Sequence, residues 1–232
     1  MRSPPRRRGA RLSLVDGPSA ELPEAQRDFL RQGDAALVAR GFLPATYVET
    51  DSVRSTRICV ALVEHPLDGA IGVIMVTVPQ NRPFKEMATF ETRFADSRKV
   101  STSNSMTTLR TPPLAWVDGA RFLGVRDLGT LYGIHQARVA ERARSTPVVP
   151  VSRQGDPIAF QDREAREIQD FWVAKGYFRY VDEDRMQMTP IGAALSAWRG
   201  LFPWTMWTSL VLDRKTRAIV KRLGLRVNIP GM

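Results

Sequence analysis

The chain is poor in the side chains that most often carry metal, redox or imidazole chemistry. Its 232 residues include one cysteine, Cys59, and two histidines, His65 and His135. A single thiol excludes an intrachain disulfide and any zinc site built mainly from cysteines. The glycines around Gly124, Gly129 and Gly133 are irregularly spaced and lead into no Lys-Ser/Thr pair, so no phosphate-binding loop is present. Neither a G-x-S-x-G elbow nor an H-E-x-x-H helix occurs. Long apolar runs are also missing. The longest candidate, residues 191–212, is interrupted by Arg199 and Pro203, whereas a spanning helix needs ~20 apolar residues. Lysine is scarce too, with five against 29 arginines, a skew that genome composition explains as well as phosphate recognition does.

What is present is an ordinary globular composition, 43% hydrophobic and 25% charged. The net charge of +10 is unevenly placed. Residues 1–22 carry +3 and residues 199–232 carry +6, which leaves +1 for everything between. A uniform polyanion-binding body is therefore disfavoured, and contact with phosphate or anionic lipid falls to the ends. Residues 1–22 read as a disordered basic tail around Arg6-Arg7-Arg8; no apolar segment follows, so the pattern is not that of a secretory signal.

Residues 23–144 read as an α+β domain, an antiparallel β meander flanked by helices. A helix is expected over 24–40, opened by Pro23 and stopped by Gly41. Two apolar strands, 57–64 and 70–78, flank the turn His65-Pro66-Leu67-Asp68-Gly69. The near-continuous apolarity of both implies that both faces are covered. Residues 88–95 alternate apolar and polar, so one face is dry and Glu91 and Arg93 lie on a solvated one. Residues 100–106, rich in Ser, Thr and Asn, read as an edge strand, and a short strand or hairpin around Asp118-Gly119 follows. A second helix spans 127–143, with His135 on its apolar face as a core histidine bonded to backbone. Cys59, inside an apolar strand, reads as a buried, inert thiol.

Residues 145–161, with three prolines, read as a linker, and 162–226 as a mainly helical C-terminal unit with a short hairpin, before a tail at 227–232. The acidic Asp182-Glu183-Asp184 is that hairpin's turn. Thr189-Pro190 opens a helix in which Ile191, Ala194, Leu195 and Trp198 fall on one face. The order helix, hairpin, Thr-Pro-x-Gly helix over 163–198 resembles the helix-plus-wing half of winged-helix domains. That resemblance implies nucleic-acid binding. The preceding helix pair of that family is not evident in the linker, and the acidic turn has the wrong charge for a wing against DNA.

The last feature is residues 201–212, which hold Phe202, Trp204, Met206, Trp207, Leu210 and Val211 without a charge. Arg214, Lys215, Arg217, Lys221 and Arg222 follow at once. Tryptophans at headgroup depth beside a basic stretch describe an interfacial amphipathic helix. A core helix with a solvated basic end fits the same residues. The expectation is a non-enzymatic accessory protein, cytoplasmic and in part membrane-associated. It would dock on an anionic membrane surface or a protein partner through Phe202, Trp204, Trp207, Val211, Arg214, Lys215, Arg217, Lys221 and Arg222. Nucleic-acid binding is the alternative, and no catalytic residue, cofactor, metal or small-molecule ligand is expected.

Overall fold

A computed structural model describes residues 6–7, 13–52, 56–78, 85–105, 113–149, 157–182, 185–201 and 203–225. The elements in chain order are β1 (Arg6–Arg7), β2 (Ser13–Val15), α1 (Glu24–Val38), β3 (Thr46–Ser52), β4 (Thr56–His65), β5 (Ala70–Val78), β6 (Lys85–Arg93), β7 (Lys99–Ser103) and β8 (Val117–Arg121). Then come α2 (Leu128–Ala143), α3 (Pro157–Ala174), β9 (Phe178–Tyr180), β10 (Arg185–Met188), α4 (Pro190–Gly200) and α5 (Trp204–Leu223). The chain is α+β. Seven strands pair in the order β2-β3-β4-β5-β6-β7-β8, antiparallel except for the parallel pair β7–β8. A separate small sheet has the order β1-β10-β9.

Side chains alternate across each strand, so one face of the large sheet collects Cys59, Ala61 and Val63 from β4, Ile74 and Val76 from β5, and Ala88 and Phe90 from β6. Helices α1 and α2 cover that face with Leu30, Leu37, Leu128, Leu131 and Tyr132. Asp127 caps α2, accepting from the Thr130 amide at 2.6 Å. After α1 the chain reverses at Gly41, whose φ is +91°. A Cβ there would stand 2.9 Å from His65 Nε2, so only glycine fits the turn. His65 Nε2 in turn lies 3.1 Å from the Arg40 carbonyl, which ties the end of β4 to the end of α1. Cys59 is buried and unpaired as expected, and burial raises its thiol pKa.

Several expectations change on the structure. Ser13–Val15 pairs with β3 and Leu22 is buried in the core, so residues 13–22 belong to the fold and not to a tail. Strand β3 was hidden in the polar sequence Thr46–Ser52. Residues 99–103 form no edge: β7 lies between β6 and β8, with Val100 and Thr102 buried. Of the two readings around Asp118-Gly119 the short strand holds, since both residues sit inside β8.

The face of the sheet carrying Arg93 and Lys99 is partly covered. Helix α3 crosses it there: Arg93 binds Glu164 and Glu167 at 2.9 and 2.8 Å, Lys99 binds Glu164, and Trp116 meets Phe171 edge to face. The proline-rich segment is tied down at its start, where Ala95 donates to the Pro147 carbonyl and Val149 to the Arg93 carbonyl. Residues 150–156 lie outside the described ones, and the expected linker ends early, because 157–161 already belong to α3. Ile219 and Val220 of α5 belong to the main core.

Candidate docking surface

The C-terminal helices carry the largest run of exposed apolar side chains among the described residues, and local packing explains why. Helix α4 opens with Thr189, whose hydroxyl accepts from the Gly192 amide at 2.9 Å, and with Pro190 at its first position. It docks through its small residues, Gly192 and Ser196, which are buried. Gly192 lies against the Tyr177 backbone so closely that a Cβ would stand 2.1 Å from the Tyr177 carbonyl oxygen. That contact leaves the neighbouring stripe in solvent. Ile191 is 69% exposed and Trp198 62%, with Leu195 beside them. The apolar face legible in the sequence is therefore the one the helix leaves in solvent.

Gly192→Val should test this arrangement. The neighbouring carbonyl cannot rotate away, so overpacking should cost about 1–3 kcal/mol, read as a lower urea midpoint. A midpoint equal to that of the parent would show that α4 is not held here.

Helix α5 is divided along its length. Its C-terminal half is anchored: Thr216, Ile219 and Val220 are buried, and the Thr216 hydroxyl donates to the Arg121 carbonyl at 2.7 Å, covering the free edge of β8. Lys215 reaches Asp118 at 2.7 Å and Arg222 reaches Glu141 at 2.7 Å. The helix ends at Gly224 with φ +62°, a left-handed cap. The N-terminal half is free of the core. Trp207 is 57% exposed, and Trp204, Met206, Leu210 and Val211 are exposed with it. At 100° per residue, Trp207, Leu210, Val211, Arg214 and Lys221 share the outward stripe, opposite Thr216, Ile219, Val220 and Leu223.

Trp204, Trp207 and Val211 are thus presented as the sequence suggested, and Arg214 and Lys221 continue the same stripe. Lys215 and Arg222 are engaged in ion pairs with the body, to Asp118 and Glu141. Arg217 has an interaction of its own. Phe202 lies outside the described residues. Sequence reasoning missed Ile191, Leu195 and Trp198 as part of the surface, although their helical spacing was visible. Only the small-residue face of Gly192 and Ser196 hinted that the apolar face points away.

Elsewhere, His135 is wholly buried, with Nε2 2.9 Å from Thr92 Oγ1 and Nδ1 3.1 Å from Thr102 Oγ1. Its partners are threonine hydroxyls and not the backbone expected from the sequence. Desolvation, with the Arg138 charge adding, pushes its pKa down to about 3, so the ring is neutral. Asp182 of the acidic turn pairs with Arg185 at 2.6 Å; Glu183 and Asp184 lie outside the described residues. Among the described residues no group of three or more His, Cys, Asp or Glu is placed to hold a metal ion, and no helix is long and apolar enough to cross a membrane. No protein-family model, curated protein or solved structure matches this chain.

Proposed function

We propose that this protein is a non-enzymatic accessory protein that settles on an anionic membrane surface through the outward faces of α4 and α5. The observation that carries the reading is the exposure of three tryptophans, Trp198, Trp204 and Trp207, on adjacent helices, together with Ile191, Leu195, Leu201, Leu210 and Val211. Contiguous exposed apolar side chains mark interaction sites. Tryptophan in particular prefers the headgroup region, where the ring is buried and its N–H stays near water. Arg214 and Lys221 on the same stripe add attraction to anionic lipid, and Arg199 stands at the end of α4.

A docking role for nucleic acid has less support. In the winged-helix resemblance α3 is the helix before the wing, and its Glu164 and Glu167 are committed to the sheet through Arg93 and Lys99.

Co-sedimentation with phosphatidylcholine vesicles, with and without phosphatidylglycerol, tests the proposal. The parent protein should pellet with the anionic vesicles. Trp204→Ala with Trp207→Ala should lose binding at every salt concentration, because apolar burial is not screened. Arg214→Gln with Lys221→Gln should weaken it chiefly at low salt and only on anionic vesicles, by ~1 kcal/mol per charge. Both double variants should melt close to the parent, since exposed substitutions change stability by about 0.5 kcal/mol or less. A parent protein that ignores both kinds of vesicle would overturn the proposal in favour of a protein partner.

A further inference from the structure

Between the β4–β5 turn, the end of β6 and the outer side of α2 lies a cavity of about 380 Å³. That is within the size range of small-molecule sites. Leu67, Val139 and Val148 form its apolar side, and Asp68, Thr92 and Gln136 its polar side. Among the described residues that line it, none is lysine or arginine, so Asp68 supplies the only charge.

That carboxylate is held in a fixed pose. Its Oδ2 accepts from the Tyr132 hydroxyl at 2.5 Å and from Gln136 Nε2 at 2.8 Å. The Asp68 amide donates to His65 Nδ1 at 3.1 Å, which fixes the turn that carries it. Tyr132 is itself locked, packed edge to face on Phe42 and tilted against Phe90. Partial burial acts to raise the Asp68 pKa, but the two hydrogen bonds and the neighbouring His65 outweigh it and hold the carboxyl below its ordinary value. The carboxylate is therefore ionised at neutral pH.

Two acceptors remain unused on this wall. Asp68 Oδ1 accepts no hydrogen bond from any described residue; His65 Nδ1 stands 3.6 Å away and already accepts from the Asp68 amide. The side-chain amide of Gln136 spends its N–H on Oδ2, and its carbonyl oxygen accepts no hydrogen bond from any described residue. A carboxylate oxygen and an amide oxygen on adjacent walls, beside an apolar chamber and with no cation lining it, match a group with several N–H donors and a positive charge.

We infer that this cavity binds a small organic monoamine, its ammonium on Asp68 Oδ1 and the Gln136 carbonyl and its apolar body against Leu67, Val139 and Val148. A bare metal ion is the poorer match, because one carboxylate oxygen and one amide oxygen fall short of a cation's coordination shell. The inference does not depend on the membrane reading, since the cavity and the α4–α5 surface share no residue.

Amide chemical shifts followed during titration with butylamine and with benzylamine test it, with butanol and butyrate as matched controls. The amines should shift resonances in residues 65–70 and 136–140 saturably, and the controls should not. Asp68→Asn keeps an acceptor for Tyr132 but removes the charge, and should weaken amine binding about tenfold or more. Ala140→Phe, at an exposed position of α2 on the cavity wall, should block entry while the chain stays folded. Equal binding of butanol or butyrate, unchanged affinity in Asp68→Asn, or no saturable amine binding would each overturn the assignment.

Discussion

Acidification from pH 6.5 to pH 4.5 should strip about 2–3 kcal/mol from the folding stability, and His135 should be the reason. The ring is fully enclosed between Thr92 and Thr102, and its pKa is held at about 3 against an ordinary 6.5. Between those two values the unfolded chain carries a proton on this residue that the native chain does not. Stability therefore stands undiminished above pH 6.5 and falls as pH drops, by about 1.4 kcal/mol per pH unit once the unfolded ring is fully charged. The carboxylates act in a lower window. Asp68 and Asp118, whose pKa values lie below the ordinary carboxylate range because hydrogen bonds and cations outweigh partial burial, add their losses only below about pH 4. Urea unfolding at intervals between pH 7 and pH 4.5 separates the two. His135→Gln keeps a polar group near the threonines but cannot titrate, and its stability should be nearly flat over the same interval whatever its absolute value. Parallel curves for parent and variant would show that His135 does not set the slope.

That histidine also shows where sequence reasoning reached its limit. The first helix from Glu24, the β4–β5 hairpin with its turn at 65–69, and the second helix beginning near Asp127 were all legible, because each is set by neighbours within a few residues. Strand β7 was not. Its Ser and Thr residues looked like an edge exposed to water, but their polar atoms are satisfied inside. Thr102 serves His135 and Arg138, Ser103 meets Thr89 at 2.9 Å, and Asn104 accepts from the Ala88 amide at 2.7 Å. A strand whose hydroxyls find partners from elements up to 36 residues away can lie in the middle of a sheet, and composition cannot reveal that. The ion pairs of the basic run after residue 213 were out of reach for the same reason. Lys215 and Arg222 find their acids 97 and 81 residues upstream, in β8 and α2. Of the docking surface, the tryptophans and their helical spacing were in plain view. What the sequence withheld was the direction each helix faces, since that depends on which side of α4 fits against the Tyr177 backbone and which end of α5 fits over β8.

Arg138→Met should be among the most damaging single changes in the protein, costing about 3–5 kcal/mol. The guanidinium is buried in the main body, and every one of its described partners lies on the parallel pair β7–β8. It donates to the Ser101 carbonyl, to Thr102 Oγ1 at 2.7 Å and to the Asp118 carbonyl at 2.7 Å, and pairs with the Asp118 carboxylate at 3.2 Å. Through these contacts α2 holds the last strand of the sheet, and with it the edge that α5 covers. Methionine has a similar length but no donor. It would leave two carbonyls and a hydroxyl facing a dry space, each at the cost of an unmade hydrogen bond. The carboxylate would suffer less, because Asp118 is 46% exposed and keeps Lys215. Asp118→Asn should accordingly be the milder change, since it leaves Arg138 its three neutral acceptors. Lys215→Met, at an exposed pair, should cost no more than about 1 kcal/mol. Urea unfolding of the three variants gives the order directly: Arg138 first, Asp118 second, Lys215 last. If Arg138→Met unfolds within 1 kcal/mol of the parent, the guanidinium is not what fastens β8.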